Sequence, residues 1–331
     1  MQDLLAEAAA ELFSRHCPPA LVRRLRAGGA DDGLWAKIAE AGFPDALRAE
    51  AEGGAGLTPA EFLPVLLAAG RAALPLPLGE TAFLRAVLGA AAPEGAVLIA
   101  MPGGAPRRAR LPAQRPADWV LLPGDEAALL LPMAEAREVE AAAPLERLVE
   151  WPGSVAATSL PAGDWLAAGA WLEAAAMAGA MEGMLASSIE HATTRRQFGR
   201  PVAGFQAVQQ QLAVLTEEVF AARMAAQLGG IGGGAGLLSL DRARVAAAKI
   251  RVGLAAREAA AIAHAVHGAI GITEELDLHL ATARLLQGRA LFGSADHWAG
   301  WLGRAYLAGT PGEFAGTLNF VRGRLAPQET A

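Results

Sequence analysis

The sequence predicts a mainly α protein in three parts: an N-terminal helical domain over residues 1–94, a small, reduced β-domain over 95–160, and a C-terminal four-helix bundle over 161–310, with a tail over 311–331. Three observations predict it. Apolar residues recur at spacings of three and four towards both ends of the chain, the period of helices buried on one face. Between them the signal changes to short apolar runs separated by Pro, Gly and charged residues, the mark of strands and turns. The 331 residues, rich in Ala, Leu and Arg with a single Tyr, also exceed one ordinary compact core.

In the first part Leu4, Ala8 and Leu12 recur at helical spacing, and Leu34, Ile38 and Phe43 continue the signal. Thr58-Pro59-Ala60-Glu61 reads as a helix start: Thr58 caps, Pro59 suits the first helical position, and Glu61 reaches back as the capping-box acid. That helix runs through Phe62, Val65, Leu66 and Ala69 and stops at Gly70, and Pro75, Pro77 and Gly79 form a turn-rich connection. Val97-Leu98-Ile99, Val120-Leu121-Leu122 and Leu129-Leu130-Leu131 are the strand candidates. Phe205, Val208, Leu212, Leu215 and Val219 then give the stripe of a bundle helix. Gly229 to Gly236 is glycine-rich, but no strand precedes it, so it reads as a mobile interhelical loop rather than a nucleotide-binding turn. Residues 311–331 read as a loosely held tail.

Composition excludes several function classes. A net charge of -6 argues against a nucleic-acid partner, which needs a concentrated basic face. The alanine-rich stretches are broken by Arg, Glu, Asp or Gly before they reach the roughly 18–20 apolar residues of a membrane span. The N-terminus has no basic segment leading into an apolar core, so a cytoplasmic protein is expected. Cys17 is alone, which excludes an internal disulfide and a cysteine-based metal cluster, and no metal site is expected.

The segment Arg195-Arg196-Gln197-Phe198-Gly199-Arg200-Pro201-Val202, followed by Phe205-Gln206-Ala207-Val208-Gln209, resembles the acyl-CoA dehydrogenase signature Arg-x-Gln-Phe-Gly-x-Pro and then Phe-Gln-x-Val-Gln. The bland reading is an Arg-rich solvated loop between two helices. His267-Gly268-Ala269-Ile270-Gly271-Ile272-Thr273-Glu274-Glu275 resembles the family's His-Gly-Gly stretch, with Ala265 where Gln is usual and Ala269 where a second Gly is usual. His267 itself reads as a hydrogen-bonded packing residue. Glu52-Gly53-Gly54-Ala55-Gly56 and Gly70-Arg71-Ala72-Ala73-Leu74-Pro75 look like turns of the family's N-terminal helical domain. The resemblance spans residues 1 to about 310.

It implies a flavoprotein that binds FAD and removes hydrogens from the α and β carbons of an acyl-CoA thioester, passing electrons to an electron-transfer flavoprotein. Arg195, Gln197 and Phe198 would reach across a subunit interface to a neighbour's FAD, the guanidinium of Arg195 pairing with the diphosphate. Gly268, Gly271 and Ser294 would be further cofactor contacts. The family's catalytic glutamate would fall at residue 292, where this chain has Phe292 in Phe292-Gly293-Ser294. A minority position near Gly169 is also without a carboxylate, although Glu173 lies four residues on, with Glu182 a poorer case. Glu173 is either a displaced base or a carboxylate on an exposed helical face. The β-domain is short and has no match to the Thr-Glu-x-x-x-Gly-Ser-Asp segment that lines the flavin ring. Asp118-Trp119-Val120-Leu121 resembles the family's Ala-Asp strand, and Trp119 reads equally as a core residue. Three readings follow: the companion subunit of a mixed hetero-oligomer whose partner carries the base, with FAD shared and a steroid-like or branched acyl-CoA as substrate; a self-sufficient enzyme using Glu173; or a flavin-free acyl-CoA-binding scaffold. An oligomer, homomeric or heteromeric, is expected in the first two.

Overall fold

A computed structural model describes residues 2–139, 146–232, 240–309 and 319–323. The N-terminal layer holds α1 (Gln2–His16), α2 (Pro19–Arg26), α3 (Leu34–Glu40), α4 (Pro59–Arg71) and α5 (Leu78–Leu88). On α1 the buried face is carried by Leu5, Ala9, Leu12 and Phe13, while Leu4 is 71% exposed. The Leu4–Ala8–Leu12 stripe is therefore displaced by one residue, because Phe13 packs against Phe43 and sets the rotation of the helix. The capping box at α4 is complete: Glu61 N–H donates to Thr58 Oγ at 3.3 Å and Thr58 N–H to Glu61 Oε2 at 2.9 Å. Gly70 does not stop this helix. It lies inside α4, where a Cβ would collide with the carbonyl oxygen of Ala176. Gly79 likewise sits within α5, against Leu172 and Leu66, rather than in a turn.

The middle of the chain folds into two four-stranded sheets. One has the order β1 (Val97–Ile99), β4 (Trp119–Leu122), β5 (Ala127–Pro132), β8 (Thr158–Pro161); the other has β2 (Met101–Pro102), β3 (Arg108–Pro112), β7 (Glu146–Glu150), β6 (Arg137–Val139). The first sheet is covered on both faces. Val97, Ile99, Leu121 and Leu130 join the main helical core, while Leu98, Val120, Leu122 and Leu131 face a second core with Ala109, Leu111 and Val149 of the other sheet. Burial on both faces is what makes its strands read as unbroken apolar runs. Trp119 is half-buried, its Nε1 donating to the carbonyl of Glu94 at 3.0 Å.

The C-terminal bundle is built on α6 (Trp165–Thr194), α7 (Gln206–Gly229) and α8 (Arg242–His267). Its fourth wall is divided between α9 (Leu278–Ala290), which packs on α6 and α8, and α10 (Ala295–Gly309), which packs on α8. On α7 the predicted stripe is half-buried at Phe205, Val208 and Leu212 and fully buried at Leu215 and Val219. Helices α4 and α6 cross backbone to backbone: besides Gly70, Gly179 lies against the carbonyl of Leu67, with no room for a Cβ. Gly229 and Gly230 pack on Trp171, where an added Cβ would lie 2.8 Å from the indole; the glycine-rich stretch beyond Gly232 lies outside the described residues. Of the C-terminal tail, residues 319–323 are helical, and Phe320 meets Tyr306 edge-on at 5.6 Å. The rest of it lies outside the described residues. No helix among the described residues is long and apolar enough to cross a membrane.

Candidate functional site

At the N-terminal end of α6, Phe292 and Gly169 stand against each other. Phe292 is 2% exposed, and its ring lies where a Cβ on Gly169 would have to go. Its backbone is left-handed (φ 54), its N–H points at Met101 Sδ at 3.2 Å, and its carbonyl accepts Trp298 Nε1–H at 2.9 Å. The β-domain and α10 thus hold the backbone of Phe292 while α6 lies against its ring. Ser294 lies just beyond, exposed, its Oγ accepting the His297 N–H at 3.2 Å at the start of α10.

One turn further along α6, Glu173 is 1% exposed, not on an open helical face. Its Oε1 pairs with Arg115 at 2.6 Å and its Oε2 with Arg284 at 2.5 Å, while Arg115 also pairs with Glu80 at 2.9 Å. Burial acts to raise the Glu173 carboxyl, but Arg115 and Arg284 outweigh it and hold the pKa at about 2. Burial keeps Glu80 above its ordinary value against the pull of Arg115. Burial also brings Lys249, which donates to the Gly288 carbonyl, down to about 8. The void lined by Glu80, Arg115, Glu173 and Arg284 measures about 30 Å³, room for a water or two. A carboxylate held between two guanidinium groups, with room beside it only for a water or two, is a poor proton acceptor, which counts against Glu173 as a displaced base. Glu182 is likewise engaged, with Arg223 at 2.6 Å and Arg71 at 2.5 Å.

At the other end of α6 the chain turns through a hairpin of β9 (Arg196–Gln197) and β10 (Arg200–Pro201). Phe198 (φ 48) and Gly199 (φ 78) make its turn. Two left-handed residues match the twist of a two-residue hairpin, but a phenylalanine there is strained. The Phe198 ring is also 91% exposed, steadied only edge-on by Phe205 at 6.1 Å. Arg195, Gln197 and Phe198 line a cavity of about 590 Å³ together with His191, Val266, His267 and Gly268. Among the described residues Arg195 has no carboxylate partner, so its guanidinium is available to an outside anion. His267 is buried, with Nδ1–H donating to the Ala263 carbonyl at 2.8 Å and Nε2 3.4 Å from Ser187 Oγ, a packing role. Gly271 sits on His267, where a Cβ would lie 2.9 Å from the His267 Cβ.

The site residues expected from the sequence therefore divide into two groups. Arg195, Gln197, Phe198, Gly268 and Gly271 share one end of α6; Phe292 and Ser294 share the other. Gly169 and Arg195 are 26 residues apart on a continuous helix, roughly 39 Å at 1.5 Å per residue.

Comparison with known proteins agrees with this architecture. Residues 162–306 match the acyl-CoA dehydrogenase C-terminal domain. Over 293 residues the chain is 30% identical to the acyl-CoA dehydrogenase IpdE2 of Mycobacterium tuberculosis, covering 84% of this chain and 89% of that protein. The chain belongs to the acyl-CoA dehydrogenase family. Two solved structures share this family fold: the ChsE4–ChsE5 complex from Mycobacterium tuberculosis (TM-score 0.79, 21% identity, 94% of this chain and 98% of that chain) and a variant of the Tcur3481–Tcur3483 steroid acyl-CoA dehydrogenase (TM-score 0.75, 21% identity, 93% and 98%). Membership makes the chain part of a flavoprotein oxidoreductase that acts on acyl-CoA, with FAD as the family cofactor. The geometry fits FAD unequally at the two ends. A guanidinium without a carboxylate partner among the described residues, an exposed aromatic ring and a glycine turn offer a cradle at the hairpin, whereas at the other end the Phe292 ring fills the space beside Gly169. What sequence reasoning missed was the pair of cations, Arg115 and Arg284, that closes the space around Glu173.

Proposed function

We propose that this acyl-CoA dehydrogenase chain is the companion subunit of a hetero-oligomer: it supplies one wall of a flavin site whose base comes from a different subunit. The observation that carries this reading is the separation along α6. The end with an open cradle has no carboxylate in its lining, and the end where the resemblance puts the base is packed shut. In the proposed assembly Arg195 holds the flavin's diphosphate by paired charge-assisted bonds, Gln197 adds a hydrogen bond, and Phe198 covers the cofactor and keeps water away. Gly268, with φ 65 and open space where a side chain would be, allows close approach. A bound flavin would supply the acceptor for the β-hydrogen of the substrate as hydride, and the α-proton would go to a base of the other subunit. Two relatives bear on the assembly and substrate: one is a complex of two differently named subunits, and the other is described as a steroid acyl-CoA dehydrogenase. We infer a bulky, ring-bearing acyl-CoA and re-oxidation by an electron-transfer flavoprotein.

The test is co-purification with a base-bearing relative from the same genome, with flavin counted by its visible absorbance. The chain alone should be colourless, and the complex should carry one flavin per pair of unlike chains. Arg195→Gln should strip that flavin. Turnover of acyl-CoA by the isolated chain would overturn the proposal, and a colourless complex would favour the flavin-free scaffold.

A further inference from the structure

The geometry points to His191 as a second anion-binding side chain of the hairpin cavity, one that meets the flavin's diphosphate beside Arg195 and takes up a proton as it does so. This rests on the reading of the cavity as a flavin half-site. His191 lies one turn before Arg195 on α6, and both line the cavity. Its ring stacks on His267 at 4.6 Å with the planes tilted by 34°. His267 is committed, since a carbonyl can only accept and Nδ1 must therefore carry its proton to Ala263. His191 makes no side-chain hydrogen bond among the described residues, and its imidazole is only part-buried, so its ring nitrogens are available to a ligand.

The surrounding charge is one-sided. Burial, then His267 on α8 and Arg195 at the hairpin, hold His191 below its ordinary value, and among the described residues no carboxylate counters them. In the free chain these surroundings favour the neutral imidazole. Both α6 and α8 end at this cavity, and the carbonyl ends of two helices favour an imidazolium once the repulsion from Arg195 is relieved. A diphosphate relieves it. Two negative charges seated on Arg195 turn the local field, and His191 takes one proton from solvent, with no bond broken elsewhere. By linkage, binding must then be tighter at the lower pH.

FAD is a suitable probe because its bridging diphosphate does not itself titrate between about pH 6 and pH 8. Its affinity for the flavin-stripped complex is measured by flavin fluorescence at those two values, and proton uptake by calorimetry in two buffers of different ionisation enthalpy. Binding should be about three- to tenfold tighter at the lower pH, with net proton uptake, on the scale of tenfold per unit of pKa shift. His191→Gln should remove both the pH dependence and the uptake, leaving the weaker affinity. His191→Lys should bind tightly at both values without uptake. Arg195→Gln should weaken binding at both. If Arg195→Gln weakens binding but His191→Gln leaves the pH dependence intact, or if wild-type affinity is independent of pH, the inference is overturned and the half-site stands. Affinity indifferent to Arg195→Gln overturns both.

Discussion

Glu173 holds two guanidinium groups in the interior, so losing its charge leaves Arg284 a buried cation without its carboxylate and Arg115 with Glu80 alone. Breaking a buried pair from one side costs about 3–5 kcal/mol. Glu173→Gln should lower stability by about that much in urea unfolding, whereas a purely catalytic glutamate would be silenced with stability intact. The pH dependence has a definite sign. With the folded carboxyl near 2 and the ordinary value at 4.5, its contribution is complete above pH 4.5 and is lost as pH falls towards 2. The Gln variant should lack that part of the acid transition. The resemblance puts Phe292 where the family's base is expected, by counting forward from the neighbouring motif. It does not show the role of Glu173, since Arg115 and Arg284 lie far from it along the chain and nothing in a local pattern announces them.

Two helices meet with almost no side chain between them where Gly179 of α6 faces Leu67 of α4 and Gly70 of α4 faces Ala176 of α6. Gly179→Ala would push a methyl group into a backbone carbonyl, and backbone cannot rotate away as a side chain can. Overpacking of this kind costs about 1–3 kcal/mol and sometimes more. A lowered urea midpoint is expected, and an unchanged one would mean that α4 and α6 can separate freely. Gly70 had the sequence signature of a helix stop, and only the neighbouring helix reveals why it is glycine. Thr58 to Glu61 was legible because a capping box is local. Strands β1, β4 and β5 were legible because both faces are buried. Strands β3 and β7 were not: alternation with Arg108, Arg110, Glu146 and Glu150 looks like loop in the sequence, yet Arg108 and Glu150 pair across the strands at 2.5 Å.

At the scale of the molecule, the order of helices, strands and bundle was readable, whereas the segment at Arg195 was read as a motif between two helices and not as a hairpin. The distance between the two groups of site residues was not, since it depends on α6 being one unbroken helix. Restoring a carboxylate at one position therefore should not restore chemistry. Phe292→Glu should give no acyl-CoA turnover with an artificial electron acceptor. It should also cost a few kcal/mol in thermal unfolding, because the clamp of Gly169, Met101 and Trp298 offers a carboxylate no charged partner. Turnover in that variant would show that the interior opens on demand. The long span of α6 also acts as a lever. Pivoted at Gly169, a tilt of about 3° would swing Arg195 by about 2 Å over the roughly 39 Å between them, and an error of about 1 Å in a positioning group can cost about a hundredfold. The Phe292 ring against Gly169 and the close crossing of α4 at Gly179 are thus contacts that keep the distant hairpin aimed.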